Sequence, residues 1–395
     1  MTTILHTTIS SCRNERRIFN EVRTALDAGL SAKIVALKTP DTLPAENING
    51  MRIQRIKVKK WQGGVRKFLA FNVKLFWHLL RQQFAILHAH DLWVLPATAL
   101  AALLRGRPLI YDAHEFYSGL EIFRQKTVAK VVWNCLEFLL IPIVDWVITI
   151  NPFHANLFNL RYAGIYKIAV IYNFPRDTRE GKKLAARGFF QREPEILYQG
   201  IFKPARGLEN LVEVGLGLTA GRLRLIGYGE ISQTLREKVQ EGRAEAPVIF
   251  SGRKPSEELL AAPSAVRAGV ALFEETNLNY KYASPNKFFE YVYAGTPVIA
   301  SKIPTFEQFF RQYEVGILVN PAKMDEIADA CNRLLTDQKE WERLHKNCLE
   351  AREVWQWKTQ EGTLLSVSKN LLEPPFSEEE TMTTVIWDPL QTRGN

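Results

Sequence analysis

The sequence predicts an α/β protein made of two Rossmann-like, doubly wound parallel-sheet domains facing each other across a cleft. Three observations predict it. Short apolar strands alternate with helical stretches along most of the chain, the alternation that gives a parallel sheet covered by helices. It lapses once, over Arg176 to Glu195, a polar stretch rich in charge and without a clear period. The length of 395 residues, 46% hydrophobic and 24% charged, suffices for two domains of about 150 to 200 residues, each with its own core.

The first series opens with a strand at Thr3 to Thr7, a helix at Glu15 to Ala28 and a strand at Ala32 to Leu37. Ala85 to His90 is the next strand, followed by a helix at Leu95 to Leu104 and a strand at Pro108 to Asp112. A long helix at Lys126 to Leu140 leads into strands at Trp146 and at Ile168 to Tyr172, which completes an N-terminal domain over 1–180. After the linker, strands at Glu195 to Gly200, Leu223 to Gly227, Val248 to Gly252, Ala268 to Phe273 and Val298 to Ser301 build a C-terminal domain over 195–355. Helical spacing at Asp325 to Leu335 and Trp341 to Arg352 covers that sheet, a last helix occupies 356–372, and 373–395 reads as a loose tail.

Composition narrows the setting. Cys12, Cys135, Cys331 and Cys348 form no close pair, so neither a disulfide framework nor a zinc site is indicated, and a reducing, cytoplasmic compartment fits. The first residues lack the pattern of a secretory signal. Val131 to Ile150 is apolar, but Asn134, Glu137, Pro142 and Asp145 divide it into a helix and a strand instead of a membrane span.

The net charge of +9 is unevenly spread, +13 over residues 1–185 and −4 over the rest. Arg52, Arg55, Lys57, Lys59, Lys60, Arg66 and Lys67 run into the aromatic helix Phe68 to Trp77, a mixture that suits the inner face of an anionic membrane. An amphipathic core helix with a solvated basic rim is the other reading. No nucleic-acid motif accompanies the charge, and no nucleic-acid partner is assigned.

The segment Ser284 to Ser301 joins a loop, a helix bearing one acid and a buried strand. Pro285 fixes a turn, and the helix start behind it offers the N–H groups of Asn286 and Lys287 to a phosphate, with the Lys287 charge beside them. Glu290 lies one turn further on the same face, where its carboxylate can accept two ribose hydroxyls. Gly295 ends the helix before the strand Pro297 to Ser301. A solvated Lys287 and Glu290 pair on a surface helix is the plainer alternative.

This segment resembles the nucleotide-binding signature of the retaining family 4 glycosyltransferases (glycosyl transferases group 1) of the GT-B fold, in the variant Ser-Pro-Asn-Lys-x-x-Glu/Asp-Tyr before Gly-x-Pro-Val-Ile-Ala-Ser. The resemblance extends to about Leu372 and implies a metal-independent hexosyltransferase using a nucleotide-diphosphate sugar, UDP ahead of GDP, with no cofactor. Ser284, Asn286 and Glu290 then bind the donor, and Lys287 its diphosphate. The family's last helix crosses back to the first domain. Where the longer signature carries a first acid this chain has Tyr282, with Glu274 and Glu275 upstream.

The resemblance also implies that His114, at the end of Tyr111-Asp112-Ala113-His114, touches donor sugar and diphosphate and is catalytic. Arg206 matches the basic residue before Gly207 that steadies the leaving diphosphate. Ile201 stands where a second basic residue is common, so that contact passes to Lys203 or Lys287. Gly229 and Gly252 end strands where backbone can approach a nucleotide closely. Arg17 resembles an arginine common before the first helix, and with His90 and Asp91, at the C-terminal end of their strand, is placed on the acceptor side.

Retention in this family is described as same-face substitution without an enzymic nucleophile, so the lack of a triad is no objection. Two His-rich strand ends could hold a metal, but they lack assigned carboxylate partners and cysteines, and no Asp-x-Asp occurs; no metal site is assigned. The expected function is transfer of a hexose to a lipid-linked or cell-surface glycan in polysaccharide or envelope biosynthesis. A nucleotide-sugar isomerase on the same fold and a noncatalytic glycan or nucleotide-sugar binding subunit are the rivals.

Overall fold

The computed structural model describes residues 3–13, 15–59, 64–116, 127–162, 167–241 and 247–373. The expected tail beyond Glu373, Lys60 of the basic run and Lys126 at the head of its helix lie outside them. The chain divides into two compact units, one of residues up to Tyr172 rejoined from Gln360 onward, the other running from Asn173 to Thr359. Each is a parallel-sheet α/β domain.

The first unit contains β1 (Thr3–Thr7), α1 (Arg16–Asp27), β2 (Ser31–Leu37), β3 (Ala45–Ile48), β4 (Met51–Ile56), α2 (Gly64–Leu80), β5 (Ile86–His90), α3 (Leu95–Arg105), β6 (Leu109–Ala113), α4 (Thr127–Leu140), β7 (Trp146–Thr149) and β8 (Ile168–Val170). The strands lie in the order β3-β4-β2-β1-β5-β6-β7-β8, all neighbours parallel except β3 with β4. That hairpin is absent from the expected elements, although its signal is in the sequence. Asn49 and Gly50 adopt φ of 51° and 85°, the two left-handed residues of a tight hairpin turn, and Asn-Gly is the pair that adopts them most readily. The apolar stretch from Val131 divides as expected, α4 giving way to a 3-10 turn at Ile141–Ile143 and then β7.

The second unit contains β9 (Glu193–Phe202), β10 (Arg222–Gly229), β11 (Val248–Gly252), β12 (Val266–Ala271), β13 (Val298–Ser301) and β14 (Gly316–Val319), in the order β11-β10-β9-β12-β13-β14. Its core joins Ile196, Tyr198, Leu225, Val270 and Ile299 of the sheet to Leu334 and Trp341 of the covering helices. The expected linker is corrected here. Residues 176–195 carry a helix at Arg179–Ala185, capped by the Thr178 hydroxyl, and a 3-10 turn at Phe189–Gln191, and Glu193 already starts β9. Their polar composition reads as loop because a seven-residue helix buries only Ala185.

Both sheets wind outward in two directions from one strand, so each has a switch point, between β1 and β5 and between β9 and β12. Chain crossovers diverge at such a point and leave a crevice beyond the strand C-termini. The polar residues singled out above gather at these two places, each in its own unit.

Candidate functional site

In the first unit, β5 and β6 carry alternating polar residues whose side chains share one face of the sheet, His88 with His90 and Asp112 with His114. His6 on β1 lies in register with His88. Helix α1 covers them with Arg17 and Glu21, one turn apart and both buried. Arg17 clamps Asp112 with two hydrogen bonds, Nε to Oδ2 at 2.7 Å and Nη2 to Oδ1 at 2.6 Å, and donates from Nη1 to the Ile171 carbonyl at 2.7 Å. Asp112 Oδ2 also meets His114 Nε2 at 2.9 Å and His90 Nδ1 at 3.1 Å. Asp91 closes the cluster, its carboxylate accepting the His114 backbone N–H at 3.2 Å and lying 3.4 Å from His114 Nδ1.

These contacts set the charges. Burial alone would raise the Asp112 carboxyl, but Arg17 and His114 beside it hold it well below its ordinary value. Burial likewise opposes a charged His114, yet Asp91 and Asp112 bring its pKa up to about 9, so the ring is an imidazolium at neutral pH. Burial pulls His90 down to about 4 and keeps it neutral. Asp91 holds φ at 71°, a left-handed conformation costing on the order of 1 kcal/mol or more for a residue other than glycine, and it aims this carboxylate at His114.

Of the residues expected here, His114 retains 21% side-chain exposure. Arg17 and His90 are corrected in one respect. Both are buried, and the Arg17 guanidinium is turned inward onto Asp112, so its placement is that of a positioning group beneath the site. The view that the His-rich strand ends lack carboxylates is also corrected, since Asp112, Asp91 and Glu21 all reach them. Asp112 was legible from its position two residues before His114 on one strand, and Glu21 from its i+4 spacing to Arg17.

In the second unit the loop after β9 faces the helix Asn286–Tyr293. Pro285 is the extended residue before that helix, and Gly295, with φ of 65°, ends it. The helix is pinned to the sheet by Tyr291. Its hydroxyl donates to the Leu197 carbonyl at 3.1 Å and accepts the Gln199 N–H at 3.0 Å, and its ring fills the space a side chain on Gly269 would need. Pinned this way, Glu290 accepts a hydrogen bond from the Gln199 side chain. Lys287 lies over Tyr198, Nζ 3.5 Å from the ring centroid, and makes no hydrogen bond among the described residues.

A buried ammonium without an anion is costly. Burial first, and Arg206 next to it, push the Lys287 pKa well below its ordinary value against the pull of Glu290. The Tyr198 face returns roughly 2 kcal/mol or more in a desolvated setting. Arg206 lies 5.6 and 5.9 Å from the Phe273 and Tyr280 rings and donates to the Ile201 carbonyl at 3.3 Å. The loop that presents it contains Ala205 and Gly207, both left-handed at φ of 57° and 59°. Two basic side chains are thus held side by side in apolar and aromatic surroundings.

Ser284 is buried and its hydroxyl has no hydrogen-bond partner among the described residues, while Asn286 and Lys203 are exposed. Gly252 is left-handed with open space around it, but the expected reason for Gly229 is corrected. A side chain there would meet the Phe202 carbonyl at 2.1 Å, so neighbouring strand β9 already requires the glycine. Gln199 was not singled out in the sequence, because a glutamine ending an apolar strand carries no distinctive pattern.

Two parallel-sheet α/β units of this kind define the GT-B class of fold. Among protein families, the model for glycosyl transferases group 1 matches residues 181–350 and that for glycosyltransferase family 4 matches residues 15–176. The chain belongs to the group 1 glycosyltransferases. No curated protein matches it in sequence. Solved structures of similar fold include sucrose-phosphate synthase from Thermosynechococcus elongatus, at a TM-score of 0.73 and 18% identity over 94% of this chain and 99% of that one. Anabaena HepE in complex with UDP and glucose matches at 0.70 and 14% identity, over 94% of this chain and 100% of that one. A variant of S. aureus TarM in complex with fondaparinux, α-GlcNAc-glycerol and UDP matches at 0.68 and 11%, over 94% and 100%.

Proposed function

We propose that this glycosyltransferase moves a hexose, with retention of configuration, from a nucleotide-diphosphate sugar to a lipid-linked or cell-surface glycan. The observation that carries the reading is the buried Lys287 ammonium, without a hydrogen bond among the described residues, beside Arg206 and one turn from Glu290. Lys287 and Arg206 receive the diphosphate, Glu290 takes the ribose hydroxyls, and Ser284, Asn286 and Lys203 complete the donor contacts. UDP in the HepE and TarM structures supports a uridine donor.

The anomeric carbon loses its bond to the diphosphate oxygen and gains one to the acceptor oxygen on the same face. The acceptor's proton passes to the departing diphosphate. Charge gathers on that diphosphate in the transition state, where fixed cations are most effective, and Lys287 and Arg206 do the work a metal does elsewhere. We assign to His114, charged at neutral pH, the support of the donor's sugar and diphosphate, and to Asp91 the acceptor side.

Peripheral contact with an anionic membrane belongs to the same reading. On α2 the residues Val65, Leu69, Val73 and Trp77 recur every fourth position and are exposed, Trp77 by 54%, with Arg66 and Lys74 beside them. Helix α3, packed against both α2 and α4, adds Leu103 and Leu104, and α4 adds Val131, Phe138 and Leu139, all exposed. An apolar face bordered by basic residues suits anionic headgroups. None of the helices, among the described residues, is long and apolar enough to cross a membrane. Co-sedimentation with phosphatidylglycerol vesicles, lost in Leu69→Glu and weak with phosphatidylcholine, is the expected result; equal recovery of both proteins with both vesicles would remove this contact.

Thermal unfolding with UDP, GDP or ADP tests the donor site. At about 100 times the dissociation constant, a bound nucleotide adds roughly 2.7 kcal/mol to stability. A rise with UDP that disappears in Glu290→Ala is predicted. No rise with any nucleotide would leave the binding reading without its donor.

A further inference from the structure

Beneath the Asp112 and His114 contacts lies a second group of side chains that the proposed reaction does not use. His6, His88 and His90 are stacked, ring centroids 4.5 to 5.2 Å apart, and Glu21 of α1 covers them. All four are at most 2% exposed. Such groups in a close-packed interior are normally hydrogen-bonded, and each one that is not calls for a reason. Here His88 Nε2 and Glu21 Oε2 have no hydrogen-bond partner among the described residues.

We propose that His6, His88, His90 and Glu21 form a closed, structural zinc site that ties β1 and β5 to α1. The donor set is three imidazoles and one carboxylate, with one ligand atom from each lying within 4.8 Å of the others. Three neutral nitrogens with one carboxylate oxygen suit zinc among the common divalent ions, and a set of four protein ligands leaves no open position for substrate. The spacing is near what an ion needs. Zinc bonds of about 2.0 to 2.2 Å place tetrahedral ligands about 3.3 to 3.6 Å apart. Glu21 Oε2 lies 3.5 Å from His88 Nε2 and 3.7 Å from His90 Nε2. His6 Nδ1, 2.9 Å from His90 Nε2, shares a hydrogen bond that the ion would replace.

Glu21 Oε1 lies 3.2 Å from Arg17 Nε, which leaves Oε2 toward the histidines. The second shell is also in place. A His90 ring ligating through Nε2 carries its proton on Nδ1, which faces Asp112 Oδ2 at 3.1 Å, the carboxylate support that metal-bound histidines commonly have. The lack of carboxylates that argued against a metal in the sequence does not hold at this place.

The test is the metal content of the full-length protein, purified without chelator or metal-affinity chromatography from cells grown with added Zn2+. Wild type is expected to hold close to one zinc per chain, and Glu21→Gln and His88→Gln at least about tenfold less. Zn2+ returned to chelator-treated protein should raise the thermal midpoint of wild type and leave the variants unchanged. If the variants fail to fold, the wild type decides alone, through X-ray absorption at the zinc edge. A four-coordinate nitrogen and oxygen shell with imidazole scattering supports the site. A wild type without stoichiometric zinc, variants that keep it, or a shell with sulfur or six ligands overturns it.

Discussion

The Arg17, Asp112 and His114 cluster of the first unit and the Lys287 and Arg206 pair of the second both lie beside the switch point of their sheets, yet they are finished to different degrees. Around Asp112 cation and anion meet, Arg17 and His114 against Asp112 and Asp91. At Lys287 the ammonium is buried against an aromatic face with a second cation beside it and, among the described residues, no hydrogen bond. A closed cluster fixes the position and charge of His114 before substrate arrives. An open one, on the reading proposed above, stores an unfavourable charge that an incoming diphosphate relieves, and so couples binding energy to a particular ligand chemistry.

The comparison breaks most sharply on stability. Arg17→Met would strand the Asp112 carboxylate in the interior and should cost about 3–5 kcal/mol, read by urea unfolding. Lys287→Met removes a charge whose burial is unfavourable, so the same measurement should show no loss. A large loss in Lys287→Met, or none in Arg17→Met, would erase the distinction.

Smaller effects follow on binding and turnover. Replacing a charged hydrogen-bonding group in a buried site costs about 1.5–3 kcal/mol, so Lys287→Met should weaken UDP binding roughly 10- to 150-fold. His114→Ala should lower turnover on the order of 100-fold and weaken UDP binding by much less, as expected for a group supporting transition-state charge. A His114→Ala protein with normal turnover removes that residue from the chemistry.

The smallest effect concerns protons. Because the folded pKa of Lys287 is depressed, the unfolded chain binds more protons than the folded one between that lowered value and about 10.4. The lysine's burial penalty is therefore fully present below its folded pKa and fades as pH rises through this window. Diphosphate binding should raise its pKa and draw in a fraction of a proton. Calorimetry of UDP binding in buffers of different ionisation enthalpy reads that uptake, and Lys287→Met should abolish it.

Much of this was legible in the sequence, for identifiable reasons. Strand and helix alternation has periods of two and 3.6, which the parallel sheets preserved, and the Ser284 to Ser301 segment is continuous, so Lys287 and Glu290 could be placed together from spacing alone. The first-unit cluster draws on four elements far apart in sequence. Nothing local tells that Glu21 lies over His88 and His90, or that Arg17 turns toward Asp112, 95 residues away. At Gly229 the sequence pointed to a ligand and could not show the second cause of a glycine at a strand end, the neighbouring strand β9, which only the register reveals.

The most direct test of the central claim, that the second unit receives a nucleoside diphosphate on Lys287, is a calorimetric titration of UDP and of uridine into wild type and Lys287→Met. The account predicts that wild type binds UDP far more tightly than uridine and that Lys287→Met loses most of this preference while remaining folded. Equal UDP affinity in the two proteins would contradict it.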